Sequence, residues 1–194
     1  GVLIIKDSSA NKCGVICSSY EIQASMLLED DRFMLIKEQY AREVLEKLRK
    51  FAQLEARALL AESHRHASVS LPELSVKLSQ AMNEAADIVY QALSTWTKDD
   101  PLYREVVLNH VVPVLVATVG EERLFKGLPR PYLDWMVAKG LSSRLVYREG
   151  IDFFASIERA SVGEVVHRYV EKERDMRRLA ESVRKSGIPE AARA

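Results

Sequence analysis

What the chain lacks narrows its class first. Two cysteines in 194 residues, Cys13 and Cys17, are too few for a disulfide framework, so a reduced, cytoplasmic compartment is expected. Neither sign of charge is in surplus: Lys+Arg and Asp+Glu are both 28. A nucleic-acid binder needs extra Lys and Arg to displace counterions from phosphates, and a polybasic membrane patch needs the same, so no nucleic acid and no membrane is expected as a partner. No apolar run reaches the roughly 18–20 residues that span a bilayer. The longest candidate, Val111 to Val119, is interrupted by Pro113. Val2-Leu3-Ile4-Ile5 has no basic stretch before it and no small-residue cleavage site after it, so it does not read as a signal peptide. The chain also lacks Gly-x-Gly-x-x-Gly, the turn that holds a pyrophosphate, and Gly-x-Ser-x-Gly, the elbow of a hydrolase nucleophile.

What is present is mostly helical periodicity. Val2 to Ile5 reads as a short buried strand, Lys6 to Gly14 as a polar loop, and Val15 onward as a helix carrying Tyr20, Ile22, Ala24, Met26 and Leu27. Ala41, Val44, Leu45, Leu48, Phe51, Ala52, Ala58 and Leu59 recur at three- and four-residue spacing, predicting a helix of about seven turns with one buried stripe. Ser70-Leu71-Pro72-Glu73 is a capping-box start for a helix running to about Lys98, with Leu74, Leu78, Ala81, Met82, Ala85, Val89 and Leu93 inward. Asp100-Pro101 starts another helix, disturbed at Pro113; Gly120 and Gly127 bracket a short segment; Pro129-Arg130-Pro131 opens a helix ending near Gly150. Ser161-Val162-Gly163-Glu164 repeats the capping-box spacing for a last helix that stops at Gly187. The predicted fold is mainly α: a helical, bundle-like tail preceded by a strand–loop–helix remnant of an α/β nucleotide-binding domain. Because Gly1 leads straight into a strand-like run, a longer parent is expected.

The chemistry-bearing stretch is Lys6 to Glu21, where Asn11, Gly14, Val15, Ser18 and Glu21 stand between a buried strand and a helix. Here the chain resembles the glutamate dehydrogenases, most closely the large multidomain NAD-dependent class. Shorter members read Asn-x-Gly-Gly-Val-x-x-Ser-Tyr-x-Glu at the end of the nucleotide domain. One departure is Cys13, where those members carry a second Gly. Leu128-Pro129-Arg130-Pro131-Tyr132 and Ser143 to Gly150 look like the helical tail of the large class. The resemblance implies oxidative deamination of L-glutamate to 2-oxoglutarate and ammonia, with NAD accepting a hydride.

Carried over, Asn11 binds the nicotinamide carboxamide or the neighbouring ribose, since an amide both donates and accepts. Gly14 lets the cofactor approach closely, and Ser18 donates a hydrogen bond to the substrate's side-chain carboxylate. Residues 1–29 then form the end of a Rossmann-like dinucleotide-binding domain. Residues 30–194 form a C-terminal helical domain packing on the catalytic core or on a neighbouring subunit of a homo-oligomer. In this family the general base, the α-carboxylate ligands and the glycine-rich turn come from upstream, so no catalytic residue is assigned here and the chain alone is expected to be inactive. The alternative is a non-catalytic helical interaction or oligomerisation module. Cys13 and Cys17, with His64 and His66, offer four potential zinc ligands, but nothing in the sequence joins the two pairs and no metal site is expected. His110 and His167 read as surface or satisfied core residues, the Glu171 to Arg178 run as a solvated face with i,i+4 pairs, and Trp96, Trp135, Tyr103, Tyr132 and Phe125 as core aromatics.

Overall fold

The computed structural model describes residues 4–10, 13–158 and 161–186, without the side chains of Ser8, Cys13, Gly14 and Val15. After a single turn, α1 (Asp7–Ala10), come α2 (Cys13–Leu27), α3 (Asp30–Arg65), α4 (Leu71–Ala92), α5 (Pro101–His110), α6 (Pro113–Val119), α7 (Glu121–Gly127), α8 (Arg130–Glu149) and α9 (Val162–Lys185). Among the described residues no strand forms. Val2 and Leu3 of the predicted strand lie outside the described residues; Ile4 and Ile5 have no regular structure and are exposed. A run this short has no sheet to join among the described residues, and an isolated strand is not stable in water. The predicted polar loop is shorter than expected, because Asp7–Ala10 already turns helically and α2 begins at Cys13.

The centre is the pairing of α4 with α8. Leu74, Leu78, Ala85 and Val89 recur at spacings of four or seven residues, and Leu133, Val137, Leu141 and Leu145 at every fourth residue, so each helix presents one stripe, and every one of these side chains is fully buried. α9 lies across α4 and α5. The long α3 supports α2, α4, α6 and α8 along its length. Its buried stripe is Tyr40, Val44, Leu48, Glu55, Ala58, Leu59 and Glu62, whereas Ala41 and Leu45, predicted inward, face solvent.

Local punctuation explains most helix ends. Ser70 Oγ accepts from the Glu73 amide at 3.4 Å, and Asp100 Oδ1 from Leu102 at 2.8 Å, each followed by a proline in the first turn. α4 ends at Ala92 rather than near Lys98, passing into one 3₁₀ turn, Leu93–Thr95. Ser161 does not cap α9, because its own backbone is helical (φ −92°, ψ −8°) and holds the hydroxyl away from the free amides. α6 has no local cap; Glu43 of α3 supplies it, accepting from the Val114 amide at 2.8 Å. Among the described residues no single helix is long and apolar enough to cross a membrane; α5 and α6 are apolar enough together but meet at a bend of 114°.

Candidate functional site

α2 carries the sequence-predicted site. Asn11 lies outside the described residues. Gly14 falls in the first turn of α2 and Ser18 one turn on, so the two share a helical face about 6 Å apart along the axis. Ser18 is exposed. The opposite stripe fixes the helix: Tyr20, Gln23, Ala24 and Leu27 are buried, against α3 and α7. Three side chains from later in the chain hold its carbonyls. Tyr40 donates to Tyr20 at 2.6 Å, Tyr132 to Ser19 at 3.3 Å, and Arg123 to Leu27 at 3.3 Å, the last placing a cation at the negative end of the helix. Burial raises the Tyr20 and Tyr40 phenols well above their ordinary pKa, so both are neutral groups.

Tyr20 also stacks on His110 (centroids 5.6 Å, planes 21° apart), the last residue of α5. His110 is pressed from the other side by α8, where a Cβ on Gly140 would lie 3.4 Å from its Nδ1. Desolvation first, and then the cations of Lys47 and Arg144, lower its pKa from 6.5 to about 4. It is therefore a neutral, packed histidine at physiological pH. Lys47, brought down to about 8 chiefly by burial, donates to the Asn109 carbonyl at 2.7 Å.

His110 stands at the wall of an open groove of about 790 Å³ between α2, α3, α4 and α8. Ile16, Ser19 and Ile22 form one side and Met82 and Asn83 another; α8 contributes Tyr132, Trp135, Lys139 and Ser143. Ser18 is not among its lining residues. Trp135, predicted as core, is 37% exposed on the rim, stacked flat on Tyr90 at 4.3 Å. Sequence reasoning missed this groove because five helices build it. The available signal was helical phase: Tyr132, Trp135, Lys139 and Ser143 share one face of α8, away from Leu133, Val137 and Leu141. Among the described residues no cluster of three or more His, Cys, Asp or Glu is placed to hold a metal ion.

The remaining polar motifs are structural. Arg130 Nε meets both Asp134 oxygens at 2.7 and 2.8 Å, while its Nη2 donates to the Trp96 carbonyl at 2.8 Å. The charged run in α9 ties helices together rather than pairing only along itself: Glu173 meets Arg144 of α8 at 2.9 Å, and Arg177 meets Glu105 of α5 at 3.0 Å.

The fold and site thus define a helical segment in which α2 carries a candidate ligand-binding face. The chain is 33% identical over 165 residues to glutamate dehydrogenase 2 of Dictyostelium discoideum, a stretch covering 78% of this chain. It is 30% identical over 165 residues to the NAD-specific glutamate dehydrogenase of Saccharomyces cerevisiae, and 32% identical to that of Neurospora crassa. The resemblance read from the sequence therefore holds across most of the chain. The chain spans about 15% of the length of these relatives. No protein-family profile matches it, and no solved structure does.

Proposed function

We propose that this chain serves as the C-terminal portion of a large NAD-dependent glutamate dehydrogenase, and that α2 contributes part of the substrate and cofactor cleft. The observation that carries this reading is the similarity to NAD-specific glutamate dehydrogenases over 78% of the chain. Residues 1–29 are then the end of the dinucleotide-binding domain, whose boundary falls at the break between α2 and α3, and the rest is a helical tail. Ser18 suits its role: it is exposed on a helix whose other face is anchored at three carbonyls, so its hydroxyl is presented from a fixed support. Gly14, without a Cβ, leaves the first turn of α2 open to close approach by the cofactor. Asn11 binds the nicotinamide carboxamide or ribose. NAD, when bound, accepts the hydride from L-glutamate, giving 2-oxoglutarate and ammonia. Since the chain holds no pyrophosphate-binding turn, it is inactive alone; the complete protein works in the cytoplasm as a homo-oligomer.

A second reading, a non-catalytic helical interaction module, is favoured by apolar side chains left on the surface, Leu35 at 86% exposure and Met176 and Leu179 on α9. One experiment separates the two. NAD-linked glutamate oxidation is followed by absorbance for the full-length parent and for this chain. The parent turns over and the chain does not; in the parent, Ser18→Ala raises the glutamate KM by roughly tenfold or more, the worth of a hydrogen bond to a charged group, and Asn11→Ala mainly raises the KM for NAD. A parent that reduces no NAD with any amino acid, or variants with wild-type kinetics for both ligands, would refute the dehydrogenase reading.

A further inference from the structure

We infer that the groove between α2, α4 and α8 is a binding site for a small organic anion with an aromatic-sized apolar body. Ser18 is not among the lining residues, and the inference does not depend on the dehydrogenase reading. Its volume of about 790 Å³ lies in the range that encloses small molecules. Apolar side chains dominate the wall, Ile16, Ile22, Phe51, Met82 and Met136 among them, so the body of the ligand is apolar. The rim offers an aromatic surface already held in place: Trp135 is stacked on Tyr90 yet stays more than a third exposed, with the Lys139 ammonium beside it, so its exposed edge is available to an apolar ligand.

The sign of the charge follows from what lines the groove. Among the described residues no Asp or Glu lines it. Lys139, one turn along α8 from Trp135, holds its ammonium 5.9 Å from the indole centroid and has no carboxylate partner among the described residues. Behind the wall the charge is mixed: Lys47 and Arg144 add to desolvation in opposing protonation of His110, while Glu173 pairs with Arg144 at 2.9 Å and Glu55 accepts from the lining Tyr147 at 2.8 Å. The sign is therefore set at the mouth, where a cation meets repulsion from Lys139. An anion meets one free ammonium at the mouth, with the neutral His110 ring and the hydroxyls of Ser79 and Ser143 nearby as polar contacts.

The test uses two dyes that share one skeleton. 8-Anilinonaphthalene-1-sulfonate carries an anion; N-phenyl-1-naphthylamine does not. Both are titrated by fluorescence into the wild-type chain, Lys139→Met, and two groove-filling variants, Ser143→Phe and Asn83→Phe. The second filler sits on the exposed rim and guards against misfolding of the first. The inference expects saturable binding of the anionic dye to one site. Lys139→Met weakens it about fivefold, the upper range for a partly exposed ionic contact, and leaves the neutral dye within twofold. Either folded filler weakens both dyes at least fivefold. If Lys139→Met changes neither dye, or both equally, the charge assignment is wrong. If a folded filler leaves the anionic dye bound as before, or that dye does not saturate at one site, the groove is not the site.

Discussion

Asp134→Ala offers the sharpest check on how α8 is held. Asp134 Oδ1 accepts from the Tyr103 hydroxyl at 2.8 Å, and both its oxygens accept from Arg130 Nε. Tyr103 is fully buried, and burial first, then Asp134, hold its phenol well above its ordinary pKa, so it is always a donor. Removing the carboxylate leaves that donor without its acceptor, a cost of about 1–3 kcal/mol. Arg130 keeps the Trp96 carbonyl and its position over the Tyr103 ring, and its side chain is 30% exposed, so its share is smaller, about 1 kcal/mol. The sum is about 3 kcal/mol, or roughly 6–12 °C in Tm for a chain of this size. An exposed i,i+4 pair with the same spacing contributes only about 0.3–0.5 kcal/mol. Urea unfolding of wild type, Asp134→Ala, Tyr103→Phe and the double variant closes a mutant cycle, with an expected coupling of about 1.5 kcal/mol. A loss below about 1 kcal/mol with no coupling refutes the argument: Asp134 would then be an ordinary surface carboxylate.

Two further predictions test other joints. Gly120 and Gly150 both have a backbone that essentially only glycine adopts (φ 78°, ψ 150° and φ 104°, ψ 173°), but their surroundings differ. Alanine at Gly120 meets nothing within 4 Å, whereas a Cβ at Gly150 lies 2.8 Å from Glu62 Oε1 and 2.6 Å from Arg65 Nη1. Gly120→Ala should therefore cost the backbone strain alone, about 1–3 kcal/mol, and Gly150→Ala at least 1 kcal/mol more by denaturant unfolding; equal losses would mean that the Glu62 contact yields freely. For His110 the folded pKa, about 4, lies below the ordinary 6.5, so the unfolded chain binds the extra proton first as pH falls. Its contribution is fully present above pH 6.5 and is lost towards pH 4, about 2 kcal/mol of it by pH 5. His110→Gln should flatten the stability profile between pH 7 and 5 by about that amount, and a parallel profile would show that the imidazole is hydrated and titrates normally.

Helix order was legible because its signals are local. Leu74, Leu78, Ala85 and Val89 announce a stripe, and Ser70 and Asp100, each with a following proline, announce starts. Where a feature depends on distant partners, local reading failed in a definite way. Ser161 has the same spacing to Glu164 as Ser70 to Glu73, but its helical backbone disables the cap. Leu45 has the periodicity of the α3 stripe, yet no neighbour covers that side of the long helix and it stays 48% exposed. Trp135 was placed in the core on hydrophobicity, though its phase on α8 puts it with Lys139 and Ser143. Ile4 and Ile5 have strand composition, and composition cannot supply the partner strands that would make them one. Asn11 and Ser18 were assigned from motif alone, and the motif says nothing of how α2 is anchored.

The two tail stretches that resemble the large dehydrogenases consist largely of residues that build the fold. In the first, Leu128 is buried, Arg130 joins Asp134 to the Trp96 carbonyl, and Tyr132 reaches back to Ser19. In the second, Arg144 holds Glu173, Tyr147 donates to the buried Glu55 at 2.8 Å, Arg148 donates to Tyr169 at 2.9 Å, and Gly150 makes the turn beside Glu62. These motif residues are explained by what they join, so similarity in the two stretches speaks first for a shared arrangement of helices. The chemical reading rests instead on α2 and the segment before it. Tyr132 is where the two arguments meet: a tail residue holds the carbonyl of Ser19, next to the serine assigned to substrate. If α2 lines a substrate cleft, as proposed, the later helices serve it from behind, by fixing the helix that carries Ser18.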